Sequence, residues 1–163
     1  MGLRRTTMLL IAASAMTLLP TGTAGARAHV NGFTAFDQRL LADMNGARAD
    51  HGLAPLQLND QLEPVAYSWA QHMASEQRAY DNPRFRRSMN AACSGWRRIG
   101  EAVGDAGEAS ADDLFNLYMR DSGGRQTILN HRFLQVGVST VATDNNGATD
   151  FWNAVEFTDR CSG

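Results

Sequence analysis

Between residues 36 and 49, apolar side chains recur at Phe36, Leu40, Leu41, Met44 and Ala47, the spacing of one helix face. Gly52 and Pro55 end that helix. A second stripe runs through Leu62, Val65, Ala66, Trp69, Ala70 and Met73. Asp60, with Glu63 three residues later, predicts a capping box at its start. Asn82-Pro83 predicts a turn. Ser110 predicts the cap of a third helix, which has Asp112 and Asp113 at its positive end and buries Leu114, Phe115 and Tyr118. Three other stretches change to a period of two. Residues 97–103 set Ile99, Glu101 and Val103 on one face; residues 133–141 group Val136, Val138 and Thr140; residues 149–158 group Phe151, Val155 and Phe157. Asn146-Gly147 between the last two predicts a hairpin. Helices first, with a small antiparallel sheet among and after them, give an α+β fold.

The first 26 residues follow another pattern. Arg4 and Arg5 precede an uncharged apolar run over residues 8–19, then Pro20, Gly22 and the small residues Ala24-Gly25-Ala26. That order is the secretory signal pattern, and its apolar run falls short of the roughly 20 residues needed to span a bilayer. We therefore expect residues 1–26 to be removed by export, by the general or the twin-arginine route. A short arm over residues 27–35 and one domain over residues 36–163 would remain. No cysteine stands at the end of the signal pattern, where a lipid anchor would be attached, so none is expected. The processed chain would keep 137 residues, with 13 arginines against 17 acids, a formal charge of −4. No lysine is present; every cation besides histidine is arginine. That balance argues against nucleic acid, whose backbone calls for a basic stripe, and nothing in the processed chain would span a membrane. Cys93 and Cys161 are the only cysteines, and in an exported chain they predict a disulfide. Its loop-closure entropy would contribute roughly 4 kcal/mol.

Asn45-x-x-Arg48, His51-Gly52-Leu53-x-Pro55-Leu56, Leu62, Ala66, Trp69-Ala70 and Met73 form an ordered block. That block resembles the start of the bacterial form of the CAP superfamily (cysteine-rich secretory, antigen 5 and pathogenesis-related proteins, also called SCP domains). Residues 95–101, Ile128-Leu129 leading to Phe133-x-x-Val136-Gly137-Val138, and the closing segment from Trp152 to Phe157 follow in the family's order. The resemblance implies an α-β-α sandwich with a three-stranded antiparallel sheet. It also implies a central cleft that gathers two histidines and two glutamates. Here Asp81-Asn82-Pro83 stands at the first histidine motif, and Asp121-Ser122-Gly123-Gly124-Arg125 at the second, so Asp81 and Gly124 replace the histidines. Gly100-Glu101-Ala102 keeps one glutamate; the second has no assigned position.

Glu101 is the first candidate for chemistry. Half-burial and a nearby Asp81 would both raise its pKa, and a carboxyl pair can act as general acid and base. The competing reading is structural, with Glu101 held by Arg125 or by a backbone amide. Zinc prefers imidazole or thiolate, so no metal is expected at the cleft, and no cofactor. His29, His51, His72 and His131 show no ligand spacing. Cleavage after Ala26 would expose Arg27-Ala28-His29, whose amine, amides and imidazole suit a square-planar Cu(II) or Ni(II) ion. Asp121-Ser122-Gly123-Gly124 copies the nucleophile segment of trypsin-like proteases, but the chain has neither their length nor their other triad members. Arg84, Arg86, Arg87, Arg97 and Arg98 form a basic cluster that we read as a solvated loop, with anionic envelope polymers or lipid headgroups as the alternative. The expected function is a monomeric, exported, non-catalytic domain that binds an extracellular protein, lipid or envelope component. A hydrolase using Asp81 and Glu101, and a carrier of apolar ligands, are the alternatives.

Overall fold

A computed structural model describes residues 33–107 and 110–162. The signal segment, most of the arm and His29 lie outside them. Helix α1 (Ala35–Asp50) starts at Thr34, whose side chain accepts the Asp37 amide while Asp37 accepts the Thr34 amide. It buries Leu40 and Met44, and with them two charged residues, Asp37 and Arg48. Arg48 is fully buried and donates to the carbonyls of Ala54, Ile128, Asn130 and Phe133 at 2.6 to 3.0 Å. One guanidinium thus fastens the first helix to a loop eighty residues away, using the planar fork that lysine lacks.

Strand β1 (Gln57–Leu58) leads to helix α2 (Glu63–Glu76), then α3 (Phe85–Ala92), β2 (Ile99–Gly107), α4 (Ala111–Arg120), α5 (Ser122–Ile128) and the hairpin β3 (Gln135–Asn145) and β4 (Ala148–Thr158). The hairpin turns on Asn146 and Gly147, both at positive φ, as its sequence predicts. The sheet order is β1-β3-β4-β2. Its three long strands are antiparallel, as expected, and β1 adds a two-residue parallel pairing to β3. The fold is the expected α+β sandwich.

Helices α1, α4 and α5 cover one face of the sheet, over Val136, Val138, Val155 and Phe157. Helix α2 covers the other, over Trp152 and Ala154, with α3 beside it. Gly137 sets the spacing on this second face: a Cβ there would lie 2.5 Å from the Leu62 carbonyl carbon. Only glycine lets the start of α2 rest on β3.

Two local expectations need correction, and two further features had no counterpart in the sequence pattern. Asp60 does not cap α2; Leu62 occupies the cap without a side-chain bond, Pro64 sits in the first turn, and Glu63 is 4% exposed. The close approach at Gly137 turns that residue inward instead of back along the helix. Residues 85–92, read as part of a solvated loop, are helix α3, held by Met89 alone on its buried side. Helix α5 follows α4 with only Asp121 between them. Finally, Arg48 belongs to the core although its charge places it with surface residues.

The disulfide Cys93–Cys161 is present. It ties the end of α3 to the segment after β4, beside a backbone pairing of Ser94 with Ser162.

Candidate functional site

Strand β2 is the sheet's edge, and a cleft of about 500 Å³ runs along it, bounded by α4 and α5. Asp81, Glu101, Asp105, Tyr118, Asp121 and Gly124 are among its lining residues. Asp81 and Glu101 therefore share one open cleft. Arg125 does not line it: the side chain is exposed on α5, and no ion pair joins it to Glu101 among the described residues. The expected Arg125 partnership is not seen: Gly124 packs against the Tyr118 backbone of α4, and Arg125, the next position on the helix, is exposed. The backbone-amide partner does exist. The Asn82 N–H donates to Glu101 Oε2 at 2.6 Å.

Behind Glu101 stands a residue the sequence did not single out. Across the sheet Glu101 pairs with Glu156 on β4, and Glu156 with Gly137 on β3. Leu62 closes over Gly137, and Glu156 is completely buried. Neither Glu156 oxygen, nor Glu101 Oε1, receives a hydrogen bond from any other group among the described residues. The two carboxyls sit at paired positions of adjacent strands, an arrangement that favours the protonated form of the buried one. Burial, then the Asp81 charge, raises the Glu101 pKa to about 7 against the pull of the Asn82 amide. Burial and the neighbouring Glu101 charge push Glu156 well above the ordinary carboxylate range. Tyr118, buried with its hydroxyl donating to Asn153, is raised by burial and by Glu156, Asp105 and Glu101.

Other candidates are settled by local geometry. Asp121 caps α5 by accepting the Gly124 amide at 2.7 Å, which explains the protease-like segment without nucleophilic chemistry. A Cβ on Gly124 would lie 2.9 Å from the Tyr118 carbonyl oxygen, so α5 fits against α4 only through glycine. His51 bonds the Ala47 carbonyl, and His131 lies in the turn before Phe133. His72 stacks on Trp69 and contacts the Tyr80 hydroxyl at 2.7 Å. No three His, Cys, Asp or Glu side chains gather as a metal site among the described residues. The cleft presents carboxyl groups, with no cation in its lining.

The profile described as "CAP: Cysteine-rich secretory protein family" matches residues 41–156, most of the chain and every element of this cleft. The chain belongs to the CAP family. Solved structures with the same fold include an outer surface protein of Borrelia burgdorferi. It has a TM-score of 0.67 and 15% identity, with 78% of this chain and 95% of that one covered. A cysteine-rich secretory protein of Staphylococcus aureus has a TM-score of 0.62 and 20% identity, with 76% and 38% covered. An extracellular SCP-domain protein of Bacillus anthracis has a TM-score of 0.58 and 19% identity, with 76% and 40% covered. The chain thus spans well under half of the last two. No curated protein sequence matches. At these identities the CAP structures share the fold with this chain; what each does stays with each.

Proposed function

We propose that this CAP domain is exported and acts without catalysis, by binding an extracellular or envelope component. The signal pattern in residues 1–26 and the outer-surface and extracellular CAP relatives support export. One observation carries the non-catalytic reading: the two positions matched to the family's cleft histidines hold Asp81 and Gly124, and the second has no room for a side chain. Zinc, which family members with both histidines can hold, does not fit this donor set, since no imidazole or thiolate faces the cleft.

The hydrolase reading has one observation in its favour. Asp81 and Glu101 share the cleft, and Glu101 titrates near neutrality, where an acid–base group works best. A single comparison separates the two. Processed protein and its Glu101→Gln variant are assayed against ester, peptide and glycoside substrates and tested for sedimentation with isolated cell envelopes. Binding of both proteins with no turnover supports the non-catalytic reading; turnover that disappears with Glu101→Gln overturns it.

A further inference from the structure

Away from the cleft, on the opposite side of Asn82-Pro83, a groove of about 640 Å³ runs between α2 and α3. That is the volume of an ordinary small-ligand site. Its floor is apolar, made by Pro64, Val65, Trp69 and Pro83, and hydroxyl or amide groups of Ser68, Ser88 and Asn82 stand among them. Arg84 lines one end.

Helical spacing explains the rim. Arg84, Arg87, Ser88 and Ala91 recur at i, i+3, i+4 and i+7 on one side of α3. From Asn82 to Gly100 the chain has five arginines and no acid, in a protein whose net charge is −2. All five are exposed, and none forms an ion pair among the described residues. Arg86 lies over the Trp96 ring, which leaves Arg84, Arg87, Arg97 and Arg98 facing solvent. Acids near this stretch are engaged or covered: Asp81 lines the other cleft, Asp159 accepts the backbone amides of Arg97 and Arg98, and Glu63 is buried.

The geometry points to this groove as a binding site for an acidic saccharide, with the apolar face of a sugar ring against Pro64 and the exposed His72 ring that stacks on Trp69, and its anionic group on Arg84. The mixed lining decides against an acyl chain, which would strip water from Ser68, Ser88 and Asn82 without replacing their hydrogen bonds. A sugar carries hydroxyls for those groups. Guanidinium suits a carboxylate, which it can grip through two parallel bonds. No cavity feature used here belongs to the Glu101 cleft, so the site stands whether or not that cleft is catalytic.

The test is an amide and indole NMR titration of the disulfide-bonded chain with trigalacturonate. We expect shifts centred on Ser68, the Trp69 indole and Ser88, together with weakening in high salt. Loss of one charge-assisted bond in Arg84→Ala should weaken binding about tenfold. Ser68→Val should weaken it with the salt dependence unchanged, and Arg39→Ala, whose partner is Asp112 on the far face, should leave it as it is. Three control ligands complete the experiment: neutral maltotriose, a short polyglutamate peptide, and phosphatidylglycerol vesicles. Absence of shifts, insensitivity to Arg84→Ala, or binding of any control as tight as the trisaccharide would overturn the assignment.

Discussion

Glu156 shows how one residue can set the solution behaviour of a domain. A carboxyl whose folded pKa exceeds its unfolded value favours the folded state while protonated, and that contribution fades as pH rises through the folded pKa. Glu101 and Glu63, both raised to about 7, and Glu156, pushed up by its burial, all act in this direction. Asp112, Asp113 and Asp159 are lowered and act oppositely; the first two are exposed and carry little weight, which leaves the largely covered Asp159 as the one counterweight. Thermal unfolding should therefore peak under mildly acidic conditions and decline from pH 5 to pH 8. Glu156→Gln should flatten the decline and raise the unfolding free energy at pH 8. A steeper decline in that variant would show that Glu156 is not its source. Arg48 is the opposite case, a buried charge satisfied by carbonyls alone. Replacing it with alanine leaves those acceptors without donors and should cost about 3 kcal/mol or more, read by urea unfolding. Arg48→Lys should recover only part of that loss.

At the scale of elements, legibility followed periodicity. Helices α1 and α4 and the β3–β4 hairpin could be read because stripe, cap and turn residues agreed. Helix α3 was missed because Met89 is its one buried apolar side chain, and three of its first four positions, counting the cap, are arginine. Helix α5 was missed because Gly123-Gly124 is a poor helix former; the need to fit beneath Tyr118 overrode propensity. In the cleft, Asp81, Glu101 and Gly124 were found through the motif resemblance. Glu156 escaped because only the Phe151, Val155 and Phe157 face of β4 was read from the period of two, and Glu156 lies on the other. A signal did exist: Trp152 and Ala154 share the Glu156 face, so β4 is apolar on both sides and its glutamate had to be covered. Two glycines test the packing. Gly137→Ala should cost about 2 kcal/mol or more by forcing α2 from the sheet. Gly46→Ala, exposed within α1 with nothing within 4 Å of a new Cβ, should add about 0.5–1 kcal/mol. Equal effects in denaturant melts would mean that the Leu62–Gly137 contact is not the constraint.

Over the whole molecule, two long-range fastenings close the fold: Arg48 joins its start to the α5–β3 loop, and the disulfide joins α3 to its end. Reduction should lower the unfolding free energy by about 4 kcal/mol on loop-closure grounds, measured with and without reductant. The sheet order carries a further consequence, one of timing. The last strand made, β4, is the one on which both β2 and β3 pair. Before residues 148–158 leave the ribosome, β2 has no strand beside it and the Glu101 cleft has no back wall. Folding with so many distant contacts is slow, and the sheet closes only once residues 148–158 are available. A chain ending at residue 147 should show no cooperative unfolding transition, while one ending at residue 162 should retain it.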